Sequence, residues 1–256
     1  MVRENRLLHI WQTGGYVING WLHLPSSFAA EVMAHQGWES LTIDFQHGVI
    51  DYAAAVTMLQ AISTTDVVPL ARVPWNSPAE IMRMLDAGCY GIICPMVNTR
   101  VDAETFVGAC RYPPRGYRSF GPTRAMLYAG ADYPESADHH IITMAMIETV
   151  EAVENLDDIL SVDGLDAIYI GPADLSQTFG GTERSDLTEP RMVDVLDRIL
   201  EAARRHNVVT GIYTGSAAYA AMMVNKGVQF VTIQSDWRLM AAAARDAIAA
   251  LRAGVT

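Results

Sequence analysis

Eight short runs of β-forming, mostly apolar residues recur along this chain, and nearly every one is followed by a segment of helical period. The runs are VINGWLHL (17–24), LTIDFQ (41–46), VVPLAR (67–72), GIICP (91–95), IITMAMIE (141–148), AIYIGP (167–172), VVTGIY (208–213) and FVTIQSD (230–236). Between them lie SSFAAEVMAHQG, DYAAAVTMLQAIS, SPAEIMRMLDAG, VDAETFVGAC, VEAVENLDDILS, PRMVDVLDRILEAARRH and SAAYAAMMVNKG, with a terminal helix expected at about 237–253. Several of these begin at Ser or Asp, which accept hydrogen bonds from free N–H groups, and stop at Gly, which tolerates the left-handed exit. Strands this continuously apolar are buried on both faces, as in a parallel sheet covered by helices. Eightfold repetition therefore predicts an α/β fold of the (β/α)₈ TIM-barrel class, formed as one domain over residues 1–256. A doubly wound open sheet would carry a GxGxxG turn after its first strand, and the chain has none there.

Half of the 256 residues are hydrophobic, enough for a sizeable core. The formal net charge of −11 disfavours nucleic acid and anionic membranes, both of which select clustered positive charge. The expected partners are a small molecule and further copies of the chain. Three cysteines, Cys89, Cys94 and Cys110, show neither a CxxC pair nor an even count, so they are expected as small core residues in a reducing compartment. With no secretory leader pattern and no uninterrupted apolar stretch of about 18 residues, a soluble cytoplasmic protein is expected.

One segment breaks the pattern. RYPPRGYRSFGPTRAMLYAGADYP (111–134) carries four prolines, four arginines and four tyrosines, and is expected to be a long ordered loop. Its Arg and Tyr content suits an active-site rim or a subunit contact better than a plain surface excursion.

Chemistry in a parallel barrel collects at the C-terminal ends of the strands. There the chain places Gln46 and His47 after the second strand, Arg72 at the third, Glu148 at the fifth, and Asp174 where the sixth run passes through GPA. Each has a bland explanation alone: a hydrogen-bonded histidine, an ion-paired arginine, a helix-capping carboxylate. Their common position on one face favours a functional reading. Two carboxylates without His or Cys at ligand spacing suit a hard divalent cation, Mg²⁺ or Mn²⁺ with Co²⁺ as a further candidate, which leaves coordination positions open for substrate. An arginine beside it suits a substrate carboxylate, and a 2-oxo acid can chelate the ion through one carboxylate oxygen and its keto oxygen. The ion would then act as a Lewis acid on the developing enolate charge while His47 moves the proton, directly or through a water. The alternative imine route needs a desolvated lysine. The one lysine, Lys226, lies just before the eighth strand, at the opposite end of the barrel.

IDFQHG (43–48), LARVPW (70–75), LDAG (85–88), GIICPMV (91–97), MIETVEAV (146–153) and YIGPADLS (169–176), in this order and spacing over nearly the whole chain, resemble the HpcH/HpaI family of metal-dependent pyruvate aldolases. The resemblance implies a barrel of the phosphoenolpyruvate and pyruvate type, assembled as a hexamer (a trimer of dimers) with terminal helices exchanged between subunits. It implies that Glu148 and Asp174 hold the metal, that Arg72 holds pyruvate and steadies its enolate, and that His47 is the base. The Ala173 backbone and Asp174 would also meet the substrate. Asp86 matches a family aspartate that raises the basicity of the histidine. The strand order puts Asp86 at the wrong end of the barrel for that role within one chain; a contribution across a subunit interface is a hypothesis, and action within or across subunits stays open. Trp21 matches a family tryptophan, and core or rim packing explains it equally well. Three positions depart from the pattern: Met146 stands where many relatives carry Gln, Gln46 where an acid is common, and RSFGP replaces RGxG. These bear on acceptor specificity more than on enolate chemistry.

The expected activity is reversible aldol cleavage of a 4-hydroxy-2-oxo acid to pyruvate, or a related 2-oxo acid, and an aldehyde, with oxaloacetate decarboxylation as a side reaction. One alternative is an acyl-CoA lyase of the malyl-CoA or citramalyl-CoA type, which calls for an added basic, phosphate-binding surface. The other is a barrel that binds 2-oxo acids without turning them over. Keeping His47, Arg72, Glu148 and Asp174 together speaks against a merely binding barrel, because unpaired charges held together have a free-energy cost.

Overall fold

The computed structural model describes residues 2–255. A short helix, α1 (Arg6–Gln12), precedes β1 (Val17–Leu22), α2 (Ser27–Ala34), β2 (Ser40–Asp44), α3 (Tyr52–Ile62), β3 (Val68–Arg72), α4 (Pro78–Asp86) and β4 (Gly91–Cys94). Three helices follow, α5 (Arg100–Cys110), α6 (Thr123–Ala129) and α7 (Tyr133–His140), before β5 (Ile142–Ile147). The remainder runs α8 (Val150–Glu154), α9 (Leu156–Leu160), β6 (Ala167–Ile170), α10 (Pro172–Thr178), α11 (Pro190–His206), β7 (Val209–Thr214), α12 (Ala217–Asn225), β8 (Phe230–Ile233) and α13 (Asp236–Gly254). The strands pair in sequence order, all parallel, and β8 closes back on β1 through Ile18 opposite Val231. This is the expected (β/α)₈ barrel, with a strand in each of the eight predicted runs.

Local chemistry accounts for the element boundaries. Ser26, Asp51, Thr99 and Ser216 each accept a backbone N–H at the start of α2, α3, α5 and α12, and Thr99 and Asp102 complete a reciprocal capping box. At the other ends, Gly88 (φ +103°) and Gly227 (φ +102°) turn the chain through the left-handed region toward β4 and β8, where a Cβ would be strained. Cys89, Cys94 and Cys110 are buried and unbridged, as expected. Inside the barrel, Asn19 accepts from Ser40 Oγ (2.8 Å) and Thr42 Oγ1 (3.0 Å) and donates to Thr232 Oγ1 (3.0 Å), so β1, β2 and β8 are cross-linked by a satisfied polar layer.

The fold differs from the sequence expectations at four places. Helix α1 is one. VEAVENLDDILS is not one helix but two, broken at Asn155, whose Nδ2 leaves the helical register to donate to Asn98 O (2.9 Å). The sixth run stops at Ile170, and Pro172 opens α10 with Asp174 in its first turn. The segment 111–134 contains α6 and joins α5 to β5, so it lies at the N-terminal end of the barrel and forms no rim of this chain's own strand C-terminal face. It is tied down there by buried arginines: Arg111 pairs with Asp166 (2.9 Å), and Arg118 pairs with Asp86 (2.7 Å) and donates to the Tyr133 hydroxyl (3.0 Å). Phe120 (71% exposed) and Leu127 (86% exposed) stand outward from the same segment. Among the described residues no helix is long and apolar enough to cross a membrane.

Candidate active site

The C-terminal strand ends converge on Asp44, the last residue of β2, whose side chain is fully buried. A lone carboxylate there would be heavily penalised. Its two oxygens instead collect six donors. Oδ1 accepts from Arg72 Nε (2.9 Å) and from the backbone N–H groups of Gln46 (3.0 Å) and His47 (3.2 Å). Oδ2 accepts from Arg72 Nη2 (2.6 Å), Trp21 Nε1 (3.0 Å) and His23 Nε2 (2.6 Å). Burial pushes this carboxyl up, but the His23 hydrogen bond, the Arg72 charge and hydrogen bonds, and the Trp21 hydrogen bond outweigh it and hold Asp44 well below the usual carboxylate range. Asp44 is therefore a fixed anion with no spare lone pair for proton transfer.

That anion positions the candidate site groups around it. Arg72 spends two of its five N–H donors on Asp44 and stacks on Trp21, with Cζ 5.0 Å from the ring centroid; the rest of its fork is available to the mouth. The turn that carries His47 is pinned through its N–H, leaving the imidazole exposed on the mouth's edge. Trp21 is buried, stacks on Tyr169 (centroids 5.5 Å apart) and bonds Asp44, so its packing and site roles coincide.

His23, which follows β1 by one residue, is a site residue that sequence reasoning passed over. Trp237 Nε1 donates to its Nδ1 (2.9 Å). An indole nitrogen can only donate, so Nδ1 carries no proton and Nε2–H points at Asp44. Asp236 secures the same place by accepting the N–H groups of His23 (3.0 Å) and Leu24 (3.1 Å). The start of α13 is thereby tied to the catalytic face.

Across the mouth, Glu148 follows β5 and is buried. Its Oε1 accepts from the N–H of Met96 (2.8 Å), which β4 delivers in a left-handed conformation (φ 55°) that a non-glycine residue adopts only under strain. Burial pushes the Glu148 carboxyl up to about 7, the Asp174 charge adds to this, and the Met96 N–H and Arg72 oppose it. Asp174, exposed at the start of α10, is close enough to be felt electrostatically. Gly171 keeps the space beside Glu148 open, since a Cβ there would stand 2.5 Å from Oε2. His47, Arg72, Ala173, Asp174 and Trp21 all line a cavity of about 350 Å³, with Met146 on its wall. A cavity of about 660 Å³ opens at the far end near Lys226, which is paired with Asp197 (2.6 Å), away from every strand C-terminus.

Asp86 stands apart from these groups within the chain. It ends α4, is paired with Arg118, and burial raises its pKa against the pull of that arginine.

A closed parallel barrel presenting an arginine, a histidine and two electrostatically coupled carboxylates at its strand C-terminal mouth defines an enzyme that works on small anions. The chain belongs to the HpcH/HpaI aldolase/citrate lyase family, whose model matches residues 19–243. It is 41% identical to a hydroxypyruvate/pyruvate aldolase of Rhizorhabdus wittichii over 97% of this chain and 99% of that one. A 4-hydroxy-2-oxo-heptane-1,7-dioate aldolase of Escherichia coli is 34% identical over 96% of this chain and 94% of that one. A crystal structure of a family member from Burkholderia cenocepacia superposes with a TM-score of 0.90 at 29% identity, covering 97% of this chain and 99% of the other.

Proposed function

We propose that this protein is a divalent-metal-dependent lyase that cleaves and forms 4-hydroxy-2-oxo acids, yielding pyruvate or a related 2-oxo acid and an aldehyde. The observation that carries this reading is the juxtaposition of a pre-fixed arginine with the Glu148–Asp174 pair across one mouth. Those two carboxylates fit a hard cation. They offer oxygen only, the donor a hard cation prefers, and Gly171 leaves room at Glu148 Oε2. Substrate and water would complete the shell of Mg²⁺, Mn²⁺ or Co²⁺. When bound, the ion supplies Lewis-acid stabilisation of enolate charge.

The chain's own residues do the rest. Arg72 binds the 2-oxo acid carboxylate and steadies the negative charge that grows on the keto oxygen. His47 removes or returns the proton at the reacting carbon or the acceptor hydroxyl. Asp44 holds both in register, and His23 and Trp21 hold Asp44. The Ala173 backbone, at the first turn of α10, meets the substrate carboxylate beside Asp174. The assembly belongs to the same proposal: a hexamer in the cytoplasm, formed as a trimer of dimers, in which α13 is exchanged and the exposed edge around Phe120 and Leu127 brings Asp86 to a neighbour's mouth. Measuring the Asp86-to-His47 distance in an oligomer structure tests that last element.

The direct experiment combines pyruvate with a panel of aldehydes after chelation, then restores Mg²⁺, Mn²⁺ or Co²⁺ singly. Aldol formation that returns only with metal is expected; full activity in the chelated protein sinks the proposal. A smaller effect is expected from His23→Ala. Losing a hydrogen bond to a buried charge costs about 1.5–3 kcal/mol, so kcat/KM falls by about 10–100-fold, chiefly through pyruvate KM as Arg72 loosens. His23→Gln, which keeps a donor toward Asp44, should recover most of it.

A further inference from the structure

Trp21 links the buried anion to the arginine at the mouth. Its Nε1 donates to Asp44 Oδ2 (3.0 Å), and Arg72 Cζ lies 5.0 Å from its ring centroid. One hydrogen bond fixes the indole nitrogen but leaves the ring free to tilt about that bond, and a tilt carries the stacked guanidinium with it. Two rings set the tilt: Tyr169 of β6 stacks on Trp21 with centroids 5.5 Å apart and planes 24° apart, and Tyr213 of β7 meets it edge-on at 6.2 Å.

Tyr169 is itself held from deeper in the barrel. It is buried, and its hydroxyl donates to Thr232 Oγ1 (2.8 Å) on β8. The same oxygen accepts Asn19 Nδ2 (3.0 Å), and Asn19 Oδ1 accepts the hydroxyls of Ser40 and Thr42. Asn19 precedes Trp21 by two residues on β1, so both face inward and this polar layer lies one step below the indole. Gly211, opposite Tyr169 in register, leaves the ring its place, since a Cβ there would stand 2.9 Å from Tyr169 Cδ2. Burial pushes the Tyr169 phenol well above its ordinary range, against the pull of the Thr232 bond, so the hydroxyl stays a donor. It is turned to Thr232 and away from the mouth, which takes it out of proton transfer. A phenylalanine would fill the same space without needing a partner; what the hydroxyl adds is a single orientation of the ring.

We propose that Tyr169 is a positioning residue for the substrate anchor: hydrogen-bonded to Thr232, it fixes the plane of Trp21, and Trp21 fixes the direction in which Arg72 presents its free N–H donors. The inference rests on the aldolase reading for what Arg72 binds; the linkage from Thr232 to Arg72 rests on the chain's own contacts.

The test compares the full-length, metal-supplied wild type with Tyr169→Phe, which keeps the ring and its stack and removes only the bond to Thr232. Pyruvate KM is expected to rise about 3–10-fold, the equilibrium worth of one ordinary hydrogen bond, while kcat and the aldehyde KM stay within about twofold. Thr232→Val, which removes the acceptor, should shift pyruvate KM in the same direction, and Thr232→Ser, which keeps the oxygen, should restore it. Because the effect passes through the indole, Tyr169→Phe should change pyruvate KM by less than about 1.5-fold in a Trp21→Phe background. A pyruvate KM unmoved by Tyr169→Phe, a lowered melting temperature as its only effect, or full additivity with Trp21→Phe overturns the proposal. Should no aldehyde react with pyruvate, the aldolase reading fails separately, and nitrogen-15 spectra still decide the linkage. The indole N–H of Trp21, assigned by its absence in Trp21→Phe, should exchange with solvent at least about threefold faster in Tyr169→Phe. The buried indole N–H of Trp38, which packs against Gly20 on the outer side of β1, should not change. An unmoved Trp21 indole, or equal acceleration of both, rejects the linkage.

Discussion

Arg72→Ala is expected to lower kcat/KM for aldol turnover by about 10³-fold or more. Removing a single preorganised donor to a developing oxyanion typically costs about 10²–10³-fold, and Arg72 is also the proposed anchor for the substrate carboxylate. The same substitution destabilises the fold. Stripping one partner from a buried ion pair costs about 3–5 kcal/mol, and here the lower end is expected because Asp44 keeps Trp21, His23 and two backbone donors. The sign of the pH effect follows. The folded state holds Asp44 far below its ordinary value of 3.8, so its contribution to stability is present above that pH and is lost as pH falls toward the folded value. Without Arg72 the depression shrinks, and acid unfolding should begin at higher pH. Circular dichroism across pH 2–7, with kinetics taken where the variant is folded, separates the two losses. Arg72→Lys tests the geometry: it keeps the charge but loses the parallel pair of bonds to Asp44, and should recover stability better than turnover. Near-normal turnover in Arg72→Ala would remove the arginine from the mechanism.

How far this site is legible in sequence depends on which physical signal carries each residue. The barrel is written in the eightfold apolar rhythm, and the rule that chemistry sits at strand C-termini finds Arg72, Glu148 and the turn bearing His47. Asp44 is visible as a charge at the end of an apolar run, but its six donors come from three separate strand ends and cannot be read from spacing. His23 obeys the same rule as Arg72. It escaped because the first apolar run extends through Leu24, which made it look like part of a strand, whereas β1 stops at Leu22. Asp86 shows the converse limit. Its match to a family position was readable, but one chain places it beside Arg118, and the proposed relation to the mouth would require an assembly.

Glu148→Gln should abolish metal-dependent turnover without unfolding the protein. Neutralising the proposed direct ligand should remove more than the about 10–100-fold in affinity that follows loss of a supporting contact, so Mn²⁺ binding should weaken by about 100-fold or more. Stability should move the other way. Glu148 is pushed from 4.5 up to about 7, so in the metal-free protein the folded state loses stability as pH rises from 4.5 to 7, where the unfolded chain has shed this proton and the folded chain retains it. Glutamine mimics the protonated form, and its variant should melt above the metal-free wild type at pH 8. Metal binding in the wild type must displace that proton below pH 7, so affinity should fall by up to about tenfold per pH unit there and level off above it. Asp174→Asn relieves the repulsion on Glu148 and should weaken Mn²⁺ binding with a smaller gain in melting temperature, since Asp174 is exposed. Titration of Mn²⁺ by electron paramagnetic resonance from pH 5.5 to 8.5 reads all three proteins. Undiminished Mn²⁺ affinity in Glu148→Gln, or a flat pH profile in the wild type, would place the metal elsewhere and return the two carboxylates to a purely structural role.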